Sequence, residues 1–261
     1  MEGQINLGTP PGDRIKELAQ LDEVKSIVEI GTWNGRGSTR CVLSGIEDKP
    51  DCEFYTLECS KKQFEIAKEI DPNQSNVHFL LGKIVEEEDL DNEDLVDEDW
   101  INESVWIVDD IDAMREVPNV LEDLPDHIDL LILDGGEFST RKEFALLKDR
   151  SDYIFLDDTA CRKNRMNRED LLFSTEFEIV EDHPEDRNGW SLFRRDRGNH
   201  LIQLNKLADL HDGKSILFCK TDYIEQIFPL LRARPRPCVL ITGNSDFSIT
   251  DDIAADAPEQ Q

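Results

Sequence analysis

Short apolar runs alternate with amphipathic segments along most of this chain. Strands are predicted over Lys25–Gly31, Cys52–Glu58, Val77–Leu81, Ile128–Asp134 and Tyr153–Asp157. Helices are predicted between them, over Gly37–Ile46, Lys61–Ile70, Phe138–Lys148 and Asn167–Phe173, with a short leading helix over Arg14–Leu21. The fourth run, IDLLILD, is apolar without alternation, as in a strand covered on both faces. Phe177–Glu181 and Trp190–Arg194 close the series as an antiparallel pair, joined by an Asn188-Gly189 hairpin signal. This alternation predicts an α/β, Rossmann-like, mostly parallel seven-stranded sheet with helices on both faces and right-handed crossovers.

Two interruptions organise the rest. Residues 86–127 are too long for one ordinary connection, and Glu86–Asp99 is acidic at most positions. A short strand at Val105–Val108 and a helix within Asp110–Leu124 are expected there; the segment is either a solvated insertion or a lid over the site. The main domain is expected to span 1–195. A linker follows over 196–213. A small strand–helix–strand appendage comes next over 214–252, built from Ser215–Cys219, Asp222–Arg232 and Cys238–Thr242, with a disordered tail at 253–261. Such an appendage is too small to be stable alone.

Composition narrows the partners. The formal net charge is −29, which argues against nucleic-acid binding and against docking on anionic lipid. The six cysteines (41, 52, 59, 161, 219 and 238) form no C-x-x-C pair and suit buried thiols in a reducing cytoplasm. Neither a signal core nor a run long enough to span a membrane is visible.

The candidate chemistry gathers at the carboxyl ends of the predicted strands, where open parallel sheets bind ligands. The first strand runs into VEIGTWNGRGST, with glycines spaced G-x-x-x-G-x-G and Glu29 two residues before the first. A glycine turn leading to a helix start suits a nucleotide ligand, and this spacing departs from the G-x-G-x-x-G dinucleotide fingerprint. The second strand ends in Glu58, which is either a carboxylate for ribose hydroxyls or an acid near a helix start. Asp134 ends the fourth strand, and Asp157-Asp158 end the fifth. Three carboxylates on one rim repel unless a cation joins them, and hard oxygen donors suit Mg²⁺; the alternative is that Asp134 and Asp158 cap the turns that follow. His78 and His127 read as structural or surface residues.

Taken in order, these motifs resemble the class I S-adenosylmethionine-dependent methyltransferases over about residues 20–195, on the branch of metal-dependent sugar and small-molecule O-methyltransferases. The resemblance implies that Glu29, Gly31, Gly35 and Ser38 hold the cofactor's methionine moiety, with Thr32 and Trp33 inside the same turn, and that Glu58 binds its ribose. It implies Mg²⁺ on Asp134, Asp157 and Asp158. The branch's acid-and-His pair after D-G is replaced here by Gly136 and Glu137. Glu137 is the candidate base beside Asp134; the alternative is an acid serving a helix dipole. Acceptor specificity is expected in loops 86–127 and 160–167. Residues 216–252 resemble the opening of glycan-related transferase domains, which implies a setting in surface-glycan synthesis. The expected function is therefore Mg²⁺-assisted O-methylation of a sugar or small-molecule hydroxyl. The alternative is an inactive cofactor-binding module that partners a glycosyltransferase, and a homo-oligomer is compatible with either. An NAD-dependent oxidoreductase is disfavoured by the glycine spacing.

Overall fold

A computed structural model of the chain describes residues 5–70, 75–90, 104–196, 215–219, 238–242 and 248–249. They fall into two compact units, one within Met1–Glu169 and Val180–Arg194, the other within Asp170–Ile179 and Arg195–Gln261. Among the described residues no helix is long and apolar enough to cross a membrane.

In chain order the elements are α1 (Pro10–Gln20), β1 (Ser26–Ile30), α2 (Ser38–Ile46), β2 (Glu53–Glu58), α3 (Lys61–Ala67), β3 (Val77–Leu81), α4 (Ser104–Arg115), β4 (Ile128–Leu133), α5 (Thr140–Leu147), β5 (Ser151–Asp157), α6 (Arg162–Phe173), β6 (Phe177–His183) and β7 (Trp190–Arg195). They build a seven-stranded sheet in the order β3-β2-β1-β4-β5-β7-β6. β1 pairs in parallel with β2 and β4, and β5 pairs antiparallel with β7, bringing Asp157 opposite Trp190. The expected fold class is the one observed.

Sequence explains most of this. Ile27, Leu130, Ile132, Phe155 and Leu192 have no exposed surface and carry the central strands into the core. On one side the core continues through Ile15 and Leu18 of α1 and Val42 and Ile46 of α2. Apolar burial of this kind stabilises by about 25 cal/mol per Å². α1 starts at Pro10, earlier than expected, because Thr9 caps it and prolines fill its first positions, where no N–H is missed. Trp190 is stacked between Phe155, 5.5 Å away, and His183, 4.2 Å away.

Two further elements differ from expectation. The run at 105–108 is not a strand: α4 starts at Ser104 and ends at Arg115, and a single 3₁₀ turn follows at Leu121–Asp123. α6 starts at Arg162, five residues early, so most of the expected 160–167 loop is helical. Its first turn is tied down by Asn164, whose Nδ2 donates to the carbonyls of Leu133 (3.1 Å) and Asp157 (2.7 Å). These tertiary bonds set a start that the polar RKNRMNR pattern does not signal.

In the second unit β8 (Ser215–Cys219) pairs in parallel with β9 (Cys238–Thr242), and β10 (Ser248–Ile249) adds antiparallel to β9. The strands match the expected bounds. The expected helix at Asp222–Arg232, nearly all of the linker and the tail lie outside the described residues.

Candidate active site

One cavity of about 360 Å³ opens at the carboxyl ends of the parallel strands, wholly within the first unit. Gly31 and Trp33 from the turn after β1 line it, with Glu58 and Cys59 after β2 and Gly82 to Ile84 after β3. Asp134 to Gly136 after β4 and Asp157, Asp158 and Lys163 after β5 form its other side. Asp110, Ile111 and Met114 of α4 also line it, so the acidic insertion supplies part of the wall.

The glycine turn is built by close approach. Gly31 has φ +100°, and a Cβ there would lie 2.3 Å from the Asp134 carbonyl oxygen. Only glycine lets the two strand ends meet this closely. Trp33 holds φ 47° without being glycine, and its N–H donates to Glu58 Oε2 at 2.6 Å. Glu58 Oε1 accepts the Ser60 N–H at 2.7 Å. Each carboxylate oxygen keeps a further lone pair, so Glu58 suits a diol such as a ribose. Burial raises its pKa, opposed by these backbone bonds.

The remaining turn residues support the cavity without lining it. Glu29 is fully buried; its Oε2 accepts from Thr39 Oγ1 at 2.7 Å and Thr56 Oγ1 at 2.5 Å. Burial pushes it up to about 7 against those bonds. Thr32 shares a hydroxyl hydrogen bond with Thr56. Gly35 faces Ile70 and Ala67 of the α3 segment, and Ser38 Oγ donates to Asp134 Oδ2 at 3.4 Å. Glu29, Thr32, Gly35 and Ser38 therefore shape the turn from behind the cavity wall.

On the opposite side the three aspartates converge as expected, with carboxylate oxygens within 4.8 Å of one another. Lys163 of α6 lies among them. Its Nζ donates to Asp134 Oδ1 at 2.7 Å and Asp158 Oδ2 at 3.1 Å. Asp157 Oδ1 accepts from Arg187 Nη2 at 2.6 Å.

No protein-family model matches the chain, and no curated protein matches it in sequence. Solved structures match it in fold. An O-methyltransferase from Bacillus cereus in complex with SAH is similar at TM-score 0.51 and 14% identity, over 74% of this chain and 84% of that chain. The cofactor-bound Rv0187 from MTB is similar at TM-score 0.50 and 15% identity, over 74% of this chain and 83% of that chain. The fold is that of the class I methyltransferases.

Within this methyltransferase fold the residues on one side of the cavity fit an adenosyl ligand: a glycine turn without a Cβ, and a strand-end carboxylate set by two backbone N–H groups. A hydrated Mg²⁺ fits the other side poorly. The Lys163 side chain is 5% exposed, and between it and Arg187 every one of the three carboxylates already has a cation. Burial alone would push the Lys163 ammonium down; Asp134, Asp158 and Asp157 overcome this and hold it above the usual lysine range. The expected Mg²⁺ position among Asp134, Asp157 and Asp158 thus already holds a cation of the chain's own.

Glu137 is half-buried and lies between Gly136 and Phe138 of the cavity wall. The residues that sequence reasoning missed are Lys163, Asp110 and Glu143. Glu143 lines the cavity, is fully buried with Oε2 lacking a partner, and is pushed up to about 7 by burial. His127, expected to be structural or at the surface, has a side chain 58% exposed and pairs with Asp129 and Asp152, which do not line this cavity.

Proposed function

We propose that this protein is an S-adenosylmethionine-dependent O-methyltransferase acting on a hydroxyl of a small molecule. The observation that carries the reading is one cavity with the glycine turn and Glu58 on one side and an acidic cluster on the other. The SAH carried by the Bacillus cereus protein supports the same cofactor here. When bound, S-adenosylmethionine supplies a methyl group already activated on a sulfonium.

The chain's own tasks are then to hold the acceptor and to take its proton. Holding reacting groups at near-attack distance contributes much of the rate. Asp134 lines the cavity and its side chain is 24% exposed, against 2% for Asp157 and 14% for Asp158. It is the carboxylate of the three best able to accept the acceptor's hydroxyl proton. Asp110 and Glu143 add polar groups to the cavity wall, which suits a polyhydroxylated acceptor such as a sugar. A role in glycan synthesis belongs to the same reading and is tested with it.

The experiment is incubation with methyl-labelled S-adenosylmethionine and a panel of phenols, sugars and glycan intermediates. Label in a methyl ether, with SAH released in equal amount, is the expected result. Tight SAH binding with no labelled product from any acceptor would favour a non-catalytic module.

A further inference from the structure

The second residue of α6 brings a cation of the chain's own into the acidic cluster. The ammonium of Lys163 lies between Asp134 and Asp158, while Arg187 holds Asp157. The placement is built in. Asn164, the next residue, ties the first turn of α6 to the ends of β4 and β5 through the Leu133 and Asp157 carbonyls. Asp158 holds φ 54° and Arg187 φ 57°, backbone conformations that a side-chain-bearing residue keeps only where its surroundings enforce them. Removing one member of a buried ion pair is strongly unfavourable, so the ammonium is not readily given up to a hydrated dication.

We propose that the Lys163 ammonium takes the place of a divalent metal ion, binding and polarising the acceptor's hydroxyl oxygen so that methyl transfer needs no metal. The inference rests on the methyl-transfer reading above. An ammonium carries three N–H donors; two reach Asp134 and Asp158, and the third serves the acceptor. In the transfer step a lone pair of that oxygen forms the new O–CH₃ bond. The C–S bond breaks with its electron pair going to sulfur, which becomes the neutral thioether, and the hydroxyl proton passes to Asp134. The one remaining N–H contacts one acceptor oxygen and cannot chelate two, so a vicinal diol is not required of the acceptor.

The test is a Mn²⁺ titration read by electron paramagnetic resonance, with SAH binding measured by calorimetry on the same preparation. The wild-type protein should bind SAH and leave Mn²⁺ free. Lys163→Ala, which empties the position among the three carboxylates, should gain Mn²⁺ binding. Wild-type turnover should be unchanged by EDTA, and Lys163→Met should lower it by about 100-fold, the usual effect of losing one donor at a reacting oxygen. Stoichiometric Mn²⁺ binding by the wild type, or turnover abolished by EDTA and restored by Mg²⁺, would overturn the proposal without touching the cofactor reading. Absence of SAH binding would instead overturn the methyl-transfer reading, and this inference with it. The wild-type arms need no variant to fold.

Discussion

Glu58 Oε2 accepts the backbone N–H of Trp33 at 2.6 Å, so the carboxylate that ends β2 holds the turn that follows β1. One residue both shapes the glycine turn and offers its remaining lone pairs to the cavity. Hydrogen bonds to charged groups contribute about 1.5–3 kcal/mol. Glu58→Gln should therefore weaken SAH binding by about tenfold to a hundredfold, as measured by calorimetry. Unchanged affinity would remove Glu58 from the cofactor site.

Asp134→Asn tests the proton acceptor. The variant keeps the side-chain shape and loses the base. The expected result is a kcat lower by about 100-fold or more, with SAH affinity close to wild type. A rise in KM with kcat unchanged would make Asp134 a binding residue only.

Glu29 gives a pH prediction. Its folded pKa is about 7, raised from 4.5 by burial. A raised carboxylate pKa means that the folded state binds the extra proton. The stability it contributes is full below about 4.5 and is lost as pH rises through about 7. The wild-type melting temperature should fall between pH 5 and pH 8 by an amount equivalent to about 3 kcal/mol at most. Glu29→Gln should flatten that slope in thermal melts, and an unchanged slope would mean that other groups carry it.

Asn164→Ala leaves the Leu133 and Asp157 carbonyls without the amide that now serves both. A cost of about 3 kcal/mol is expected from denaturant unfolding, since buried acceptors would lose their partner. Loss of stability below about 0.5 kcal/mol would show that the first turn of α6 is held by other contacts.

Much of this was legible in the sequence. The apolar runs located every strand of the main sheet, since continuous burial on both faces leaves a strong signal in IDLLIL and its neighbours. The glycine turn, Glu58 and the three strand-end aspartates were visible because parallel topology sends strand ends to one rim. Lys163 was not visible. It lies in a polar helix whose start depends on Asn164 reaching two strand carbonyls, a contact that no local periodicity records. The available hint was a lysine five residues after an aspartate pair, immediately before an Asn-x-x-Asn spacing. α4 was misread because β-branched residues at 105–108 resemble a strand, and propensity yielded to tertiary context. Glu143 has no mark in the sequence beyond its place on a predicted helix; only its burial against the cavity distinguishes it.

The central claim, that this cavity binds the methyl donor, is tested most directly by calorimetric titration of the wild-type protein with S-adenosylmethionine and, separately, with NAD. The account predicts one-to-one binding of S-adenosylmethionine, weakened in Glu58→Gln, and no heat with NAD. Binding of NAD with none of S-adenosylmethionine would contradict it.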